Sequence, residues 1–197
     1  MSTILVTGGA GFIASEIAIK LAQNPENHVV VIDNLLTGST KKLPLDSYDN
    51  LHFIKCDVNI FEDVAGVFYA YNFDYVFHYA ALVGVQRTLR NPVSVLDDIQ
   101  GIKNILRLSK NSRVKRVFYS SSSEVYGEPL KVPMEETDNP IPITTYGISK
   151  FAAERNIKAY SRNYNIQYTI FRLFNVYGDD QATDWVLPEF VSKAVTN

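Results

Sequence analysis

Tyr146 and Lys150 stand four residues apart. On a helix, positions i and i+4 share one face, so this spacing makes a phenol and an ammonium neighbours. A nearby cation favours phenolate over phenol and predicts a lowered pKa, which suits Tyr146 to act as a base near neutral pH. Taken alone, the same spacing also fits an ordinary surface pair. Its company gives it weight. Ser120, Ser121, Ser122 and Ser123 directly follow Val117-Phe118-Tyr119, an apolar run that reads as a strand. Hydroxyls at the carboxyl edge of such a strand lie where open α/β sheets hold their ligands.

A second group of residues suits a phosphate. Gly8-Gly9-Ala10-Gly11 falls between the apolar run Ile4-Leu5-Val6 and a helical pattern with Phe12, Ile13, Ile17 and Leu21 on one side. Glycine at Gly8 and Gly11 lets the chain turn sharply and lets backbone N–H groups approach a pyrophosphate at the helix N-terminus. Ala14 replaces the third glycine of the usual pattern and still allows close helix–sheet packing. Asp33 ends a second apolar run, Val29 to Ile32. A carboxylate there accepts hydrogen bonds from ribose hydroxyls and repels a 2′-phosphate. No arginine lies in Asn34-Leu35-Leu36-Thr37-Gly38 to offset that repulsion. These residues predict NAD rather than NADP. A tight turn without ligand and a turn-capping aspartate remain open as alternatives.

The elements that must carry these groups alternate along the chain. Leu51 to Ile54 reads as a third strand, followed by a helix with Phe61, Val64, Ala65 and Phe68 at helical spacing. Tyr75 to Phe77 is a fourth strand. A single long helix is expected from about Val93 to Lys110, with Leu96, Ile99, Ile102, Ile105 and Leu106 inward. Val117 to Tyr119 is the fifth strand, a helix starts near Tyr146, and Tyr168 to Phe171 is the sixth strand. Glu128 to Pro142, with four prolines, reads as one irregular loop. This alternation predicts an α/β fold of the Rossmann type, a doubly wound parallel sheet with helices on both faces.

Composition bounds the rest. The chain has 197 residues, 46% hydrophobic and 20% charged, enough for one domain with a buried core. A net charge of −2 gives no electrostatic footprint for nucleic acid or an anionic membrane. Cys56 is the one cysteine, so no internal disulfide forms and a reducing, cytoplasmic setting is expected. The N-terminus runs straight into a strand without a signal-peptide pattern, and no apolar run is long enough to span a bilayer. His28, His52 and His78 lack metal-ligand spacing, and no metal is expected.

Several segments together resemble the extended short-chain dehydrogenase/reductase family, and within it the NAD-dependent nucleotide-sugar epimerases, dehydratases and decarboxylases. Thr7-Gly8-Gly9-Ala10-Gly11-Phe12-Ile13 is similar to its glycine loop. Asp33-Asn34-Leu35-x-Thr37-Gly38 is similar to its ribose-binding segment, and Asp57-Val58 to its adenine-contacting pair. His78-x-Ala80-Ala81 resembles the cofactor motif of the fourth strand, and Ser121 to Gly127 the active-site serine segment. Tyr146-Gly147-Ile148-Ser149-Lys150 resembles the catalytic helix, and Phe171-Arg172-x-Phe174-Asn175-x-Tyr177-Gly178 the segment leading to substrate. The resemblance runs through essentially the whole chain.

The resemblance implies Tyr146 as general base, Lys150 on the nicotinamide ribose, and Ser122 on the sugar hydroxyl being oxidised. It implies Asn175 on the nucleotide-sugar, with Val83, Gly84 and Arg87 lining the sugar pocket; for Arg87 a solvated surface charge fits equally. Dehydratases of this group carry Asp-Glu where Ser123 and Glu124 stand here, which argues against dehydration. Ser-Glu is similar to UDP-glucuronate decarboxylases, in which the Glu assists loss of CO₂; a loop role for Glu124 is the plain alternative. Ala80 to Val85 with Arg87 is more similar to 4-epimerases of UDP-hexuronic acids or UDP-N-acetylhexosamines. A UDP-sugar 4-epimerase working by transient oxidation at C4 therefore stands first, ahead of a decarboxylase. Asp98 takes a position where the family usually has asparagine.

The resemblance also implies a homodimer, formed through the helix near Ile99 and the Tyr146 helix. It assigns residues 1–180 to the NAD-binding domain and 181–197 to the start of a smaller substrate lobe that is largely absent. The chain is then a fragment of a longer enzyme, or a shortened NAD-binding protein without catalysis. Asp184 is expected to cap a last helix whose stripe of Leu187, Phe190, Val191 and Ala194 has no partner within the chain.

Overall fold

The apolar runs become six strands in a computed structural model, which describes residues 1–129, 131–181 and 186–196. They are β1 (Ser2–Thr7), β2 (Asn27–Asp33), β3 (Leu51–Lys55), β4 (Tyr75–His78), β5 (Arg116–Ser122) and β6 (Gln167–Leu173). All neighbours pair in parallel, in the order β3-β2-β1-β4-β5-β6. The direction of winding reverses between β1 and β4, which opens a crevice at their carboxyl ends. β5 runs further than its apolar run suggests: Ser120, Ser121 and Ser122 are strand residues, and only Ser123 opens the following 3₁₀ turn, Ser123–Tyr126.

Helices α1 (Phe12–Ala22), α2 (Phe61–Ala70), α3 (Val85–Arg90), α4 (Pro92–Asp97), α5 (Ile99–Asn111), α6 (Thr145–Tyr164) and α7 (Val186–Thr196) connect or follow the strands. On one face Leu5, Val30, Ile32, Val76 and Val117 meet α2 and α5. Tyr119 on the same face joins Ile102 and Leu106 of α5 to Ala153 and Ile157 of α6. On the other face α1 packs on Ile4, Val6, Val29 and Val31. The inner stripe of α1 is Ala14, Ala18 and Ala22 with Ser15, while Phe12, Ile13, Ile17 and Leu21 sit at its margins. Small residues let the helix axis come close to the sheet, so the larger side chains are displaced sideways. Beyond α1, this face carries a stacked ladder of Phe77, Phe118 and Phe171 that stays partly exposed.

The expected long helix from Val93 to Lys110 is two helices with a turn at Asp98. The Gly101 N–H bonds the Asp98 carbonyl three residues back, and the Asp98 carboxylate accepts the Leu82 N–H. The break rotates the two apolar stripes apart. Leu96 is therefore half-exposed rather than inward, while Ile102, Ile105 and Leu106 are buried as expected. α3 was not legible in the periodicity. Asn104 of α5 donates to the carbonyls of Val58 and Asn59 and ties the β3–α2 loop to the helix.

α7 exposes Leu187, Phe190, Val191 and Ala194, the expected unpartnered stripe; its expected cap, Asp184, lies outside the described residues. Among the described residues no helix is long and apolar enough to cross a membrane. Among the same residues no cluster of three or more His, Cys, Asp or Glu could hold a metal.

Candidate active site

Two sites meet at the carboxyl ends of the strands. The first is the turn between β1 and α1. Gly8 adopts φ +68°, and a Cβ there would lie 2.6 Å from the Ala80 nitrogen, so only glycine fits. The turn presses onto β4 through Thr7, whose Oγ accepts the N–H groups of Tyr79 and Ala80 at 3.2 Å. With both acceptances made, Thr7 donates its proton to His78 Nδ1, 2.8 Å away, which leaves the ring proton on Nε2.

Gly11 gives α1 no side-chain cap, and the first turn carries no carboxylate. The N–H groups of Phe12 and Ile13 are thus offered at the positive end of the helix. Such an end suits a pyrophosphate, and the surrounding residues fit a dinucleotide. Asp33 is almost buried beside it. Its oxygens accept the N–H groups of Ala10 at 3.1 Å and Leu35 at 2.8 Å, so the turn-capping role is realised. Each oxygen keeps a lone pair for a further donor. Asn34 donates to Asp57 at 3.0 Å, and Asp57 also accepts the Asn59 N–H. Val58 is buried in the core behind them. Asp33, Asn34 and Asp57 therefore lie beside the glycine turn, with Val58 packed behind them.

The second site is a cleft lined by His78, Ala80, Ala81, Asp98, Tyr146 and Lys150 among others. α6 delivers the last two from one face. Its N-cap Thr144 accepts the Gly147 N–H at 2.9 Å and donates to Glu124. A Cβ on Gly147 would lie 2.6 Å from the Glu124 carbonyl oxygen, so glycine lets α6 close onto the turn after β5. That contact sets Ser122 against Tyr146. The Ser122 hydroxyl accepts the Glu124 N–H at 3.2 Å and acts on the phenol from beside it, favouring its ionised form. Lys150 is buried and donates to the Ser120 carbonyl at 2.8 Å. Its ammonium is 5.6 Å from the Tyr146 ring centre.

The expected lowering of the Tyr146 pKa is not met in the chain by itself. Burial pushes the phenol up to about 12, with the carboxylates of Glu124 and Asp98 adding to this, against the bond from Ser122. Lys150 is brought down to about 8 by burial, opposed by Asp98. Burial first, and then the two carboxylates, set the direction of the shift, and the Lys150 ammonium does not reverse it.

Other expected residues lie at or outside the rim. Val83 and Gly84 lead into α3, with Gly84 as its N-cap. Arg87 folds back to donate to the Val83 carbonyl at 2.8 Å. Asn175 is exposed in the coil after β6 and is not among the residues lining the cleft. What the spacing left unread is the support. Glu154 is fully buried and takes a bidentate pair from Arg172 of β6, at 3.0 and 2.9 Å, plus the Ser121 hydroxyl at 2.6 Å. The signal for it was the continuation of the Tyr146, Lys150 face by four more residues.

His78 gives a measurable consequence. Its burial, with Lys150 nearby, lowers the imidazole from 6.5 to about 3. The unfolded chain therefore binds this proton first. The contribution of His78 is complete above about pH 6.5 and is lost as pH falls toward 3, at about 1.4 kcal/mol per pH unit. Denaturant titrations between pH 7 and 4 should show a steeper loss for the parent than for His78→Asn, which keeps an acceptor for Thr7. Parallel curves would count against a neutral buried His78.

Residues 4–197 match the model of the NAD dependent epimerase/dehydratase family. A UDP-glucose 4-epimerase from Lacticaseibacillus casei is 33% identical over 89% of this chain and 52% of its own length. The structure of UDP-N-acetylglucosamine 4-epimerase from Methanobrevibacter ruminantium M1, in complex with UDP-N-acetylmuramic acid, superposes with a TM-score of 0.89. It is 33% identical, over 99% of this chain and 63% of that one. The UDP-glucose 4-epimerase of Thermus thermophilus in complex with NAD superposes with a TM-score of 0.84 at 32% identity, over 92% of this chain and 58% of that one. The chain thus spans between about half and two thirds of the length of these relatives. A glycine turn at an uncapped helix end, a cleft lined by Tyr146 and Lys150 beside it and a match through nearly every residue lead to one conclusion: the chain belongs to the NAD dependent epimerase/dehydratase family.

Proposed function

We propose that this chain binds NAD and belongs to an enzyme that interconverts UDP-sugars by epimerisation at C4. The observation that carries this reading is the Tyr146 phenol in a cleft shared with Lys150, next to the glycine turn. The relatives named above support the substrate class.

In this reading Phe12 and Ile13 N–H groups bind the pyrophosphate, Gly8 and Gly11 give it room, and Asp33 accepts from the adenosine ribose. Asn34, Asp57 and Val58 shape the adenine side, and Ala80 and Ala81 border the nicotinamide side. When bound, NAD supplies the hydride acceptor and donor. The residues of the chain handle the proton. In its phenolate form Tyr146 Oη takes it from the C4 hydroxyl as the C4–H bond breaks, and returns it when the carbonyl is reduced from the other face. Ser122 aligns that hydroxyl, and Lys150 holds the nicotinamide ribose and adds positive charge near the phenol. Glu124, tied to Thr144, flanks the sugar; Val83, Gly84, Arg87 and Asn175 are the proposed rim contacts.

Residues 1–180 then form the cofactor domain and 181–197 begin a substrate lobe, for which the exposed α7 stripe is the contact. The exposed apolar residues Leu89, Val93, Leu96 and Ile148 suit a homodimer face on α3, α4 and α6. A cytoplasmic setting agrees with a single buried thiol.

Calorimetric titration tests the cofactor, and an assay of UDP-hexoses and UDP-N-acetylhexosamines for their 4-epimers tests the reaction. NAD should bind about a hundredfold more tightly than NADP, roughly 3 kcal/mol, because Asp33 faces the 2′-phosphate. Equal affinities would remove the role of Asp33. An NAD-loaded protein that epimerises none of these sugars would overturn the reaction.

A further inference from the structure

One charged group in the cleft has no part in the proton transfer just described. Asp98 sits at the turn between α4 and α5, where its carboxylate accepts the N–H of Leu82. It lines the same cleft as Tyr146 and Lys150. Lys150 is buried, and its ammonium donates to the Ser120 carbonyl. Among the described residues it makes no ion pair with any carboxylate. A buried ammonium without a countercharge loses its proton.

The groups around Asp98 narrow the source of that countercharge. Tyr146 of α6 is pushed up to about 12, Tyr119 of β5 is pushed well above its ordinary value, and His78 of β4 is brought down to about 3. All three are neutral near pH 7. Asp57, in the loop before α2, disfavours charge on Asp98, while Asn59 in that loop donates to it. Burial raises the Asp98 carboxyl above its ordinary value, and the Leu82 N–H, Lys150 and Asn59 offset only part of that rise. Asp98 is the carboxylate whose field acts on Lys150. Glu124 acts instead on Tyr146, from the exposed rim.

We propose that Asp98 is a positioning residue of this site: across the cleft it supplies the countercharge for the Lys150 ammonium, while its bond to Leu82 holds the loop after β4 in place. The arrangement has one element doing two separable things. An amide at position 98 would keep an acceptor for Leu82 and remove the charge. An alanine would remove both. This deepens the acid–base reading above and rests on it for its consequence in turnover. The coupling itself is a property of the folded chain.

Carbon-13 NMR of the lysine ε-carbons tests it on the protein without cofactor, with Lys150→Met assigning the resonance. In the parent Lys150 should titrate near 8. In Asp98→Asn its midpoint should fall by about one pH unit or more, with the melting temperature held. A midpoint equal to that of the parent would overturn the proposal and leave Asp98 a purely structural acceptor. Coupling between two sites is reciprocal. In Lys150→Met, the Asp98 carboxyl carbon should therefore titrate higher than in the parent by a similar amount; an unchanged midpoint overturns the proposal equally. Neither measurement involves turnover, so loss of epimerase activity and loss of this coupling are told apart.

Discussion

Tyr146→Phe is expected to lower turnover by about a thousandfold in any form of the protein that converts a UDP-sugar, and to leave NAD affinity within a few-fold of the parent. In the proposed reaction the phenol oxygen is the group that exchanges a proton with the sugar hydroxyl, and it shares its cleft with Lys150. Removing one oxygen leaves the ring packed against α6 and the cleft wall, so the fold and the glycine turn are untouched. Lys150→Ala behaves differently. It removes the ammonium that holds the ribose and vacates a fully packed position, so affinity and rate should fall together. Rates followed by NMR of the 4-epimer and affinities from calorimetry separate the two. A Tyr146→Phe protein that keeps most of its rate would end the assignment of Tyr146 as the base.

Glu154→Gln should cost about 3–5 kcal/mol of stability in denaturant unfolding. Glu154 is fully buried where α6 crosses β5 and β6. Burial alone would raise its carboxyl; the two bonds from Arg172 and the Ser121 hydroxyl outweigh this and hold it below its usual range. Arg172 also lies 4.8 Å over the Tyr126 ring, and its guanidinium donates to the Glu136 carbonyl. The amide leaves that guanidinium, itself partly exposed, without its countercharge. Replacing both partners by apolar residues should recover part of the loss, because the cost comes from the orphaned charge. The substitution should also loosen the face that carries Tyr146 and Lys150. A loss below about 1 kcal/mol would mean that the pair is solvated enough to contribute little.

The amino-acid sequence alone determined the alternation of strands with the longer helices, because each buried strand is a short apolar run and α1, α2 and α5 repeat apolar residues at helical spacing; the short α3 left no such pattern. It also determined the glycine turn with Asp33 beside it, and the shared face of Tyr146 and Lys150, since these depend on residues close together in the chain. Tertiary structure decided what depends on distant partners. The break at Asp98 follows from Leu82, sixteen residues away. The alanine face of α1 follows from how closely the helix meets the sheet. Arg87 turned back onto Val83 rather than standing free at the rim. The charge of the site is the clearest case. Spacing put a cation near Tyr146, but burial and two carboxylates from other segments raised its pKa instead. A pKa sums desolvation and every neighbouring charge, and only the folded arrangement brings those contributions together.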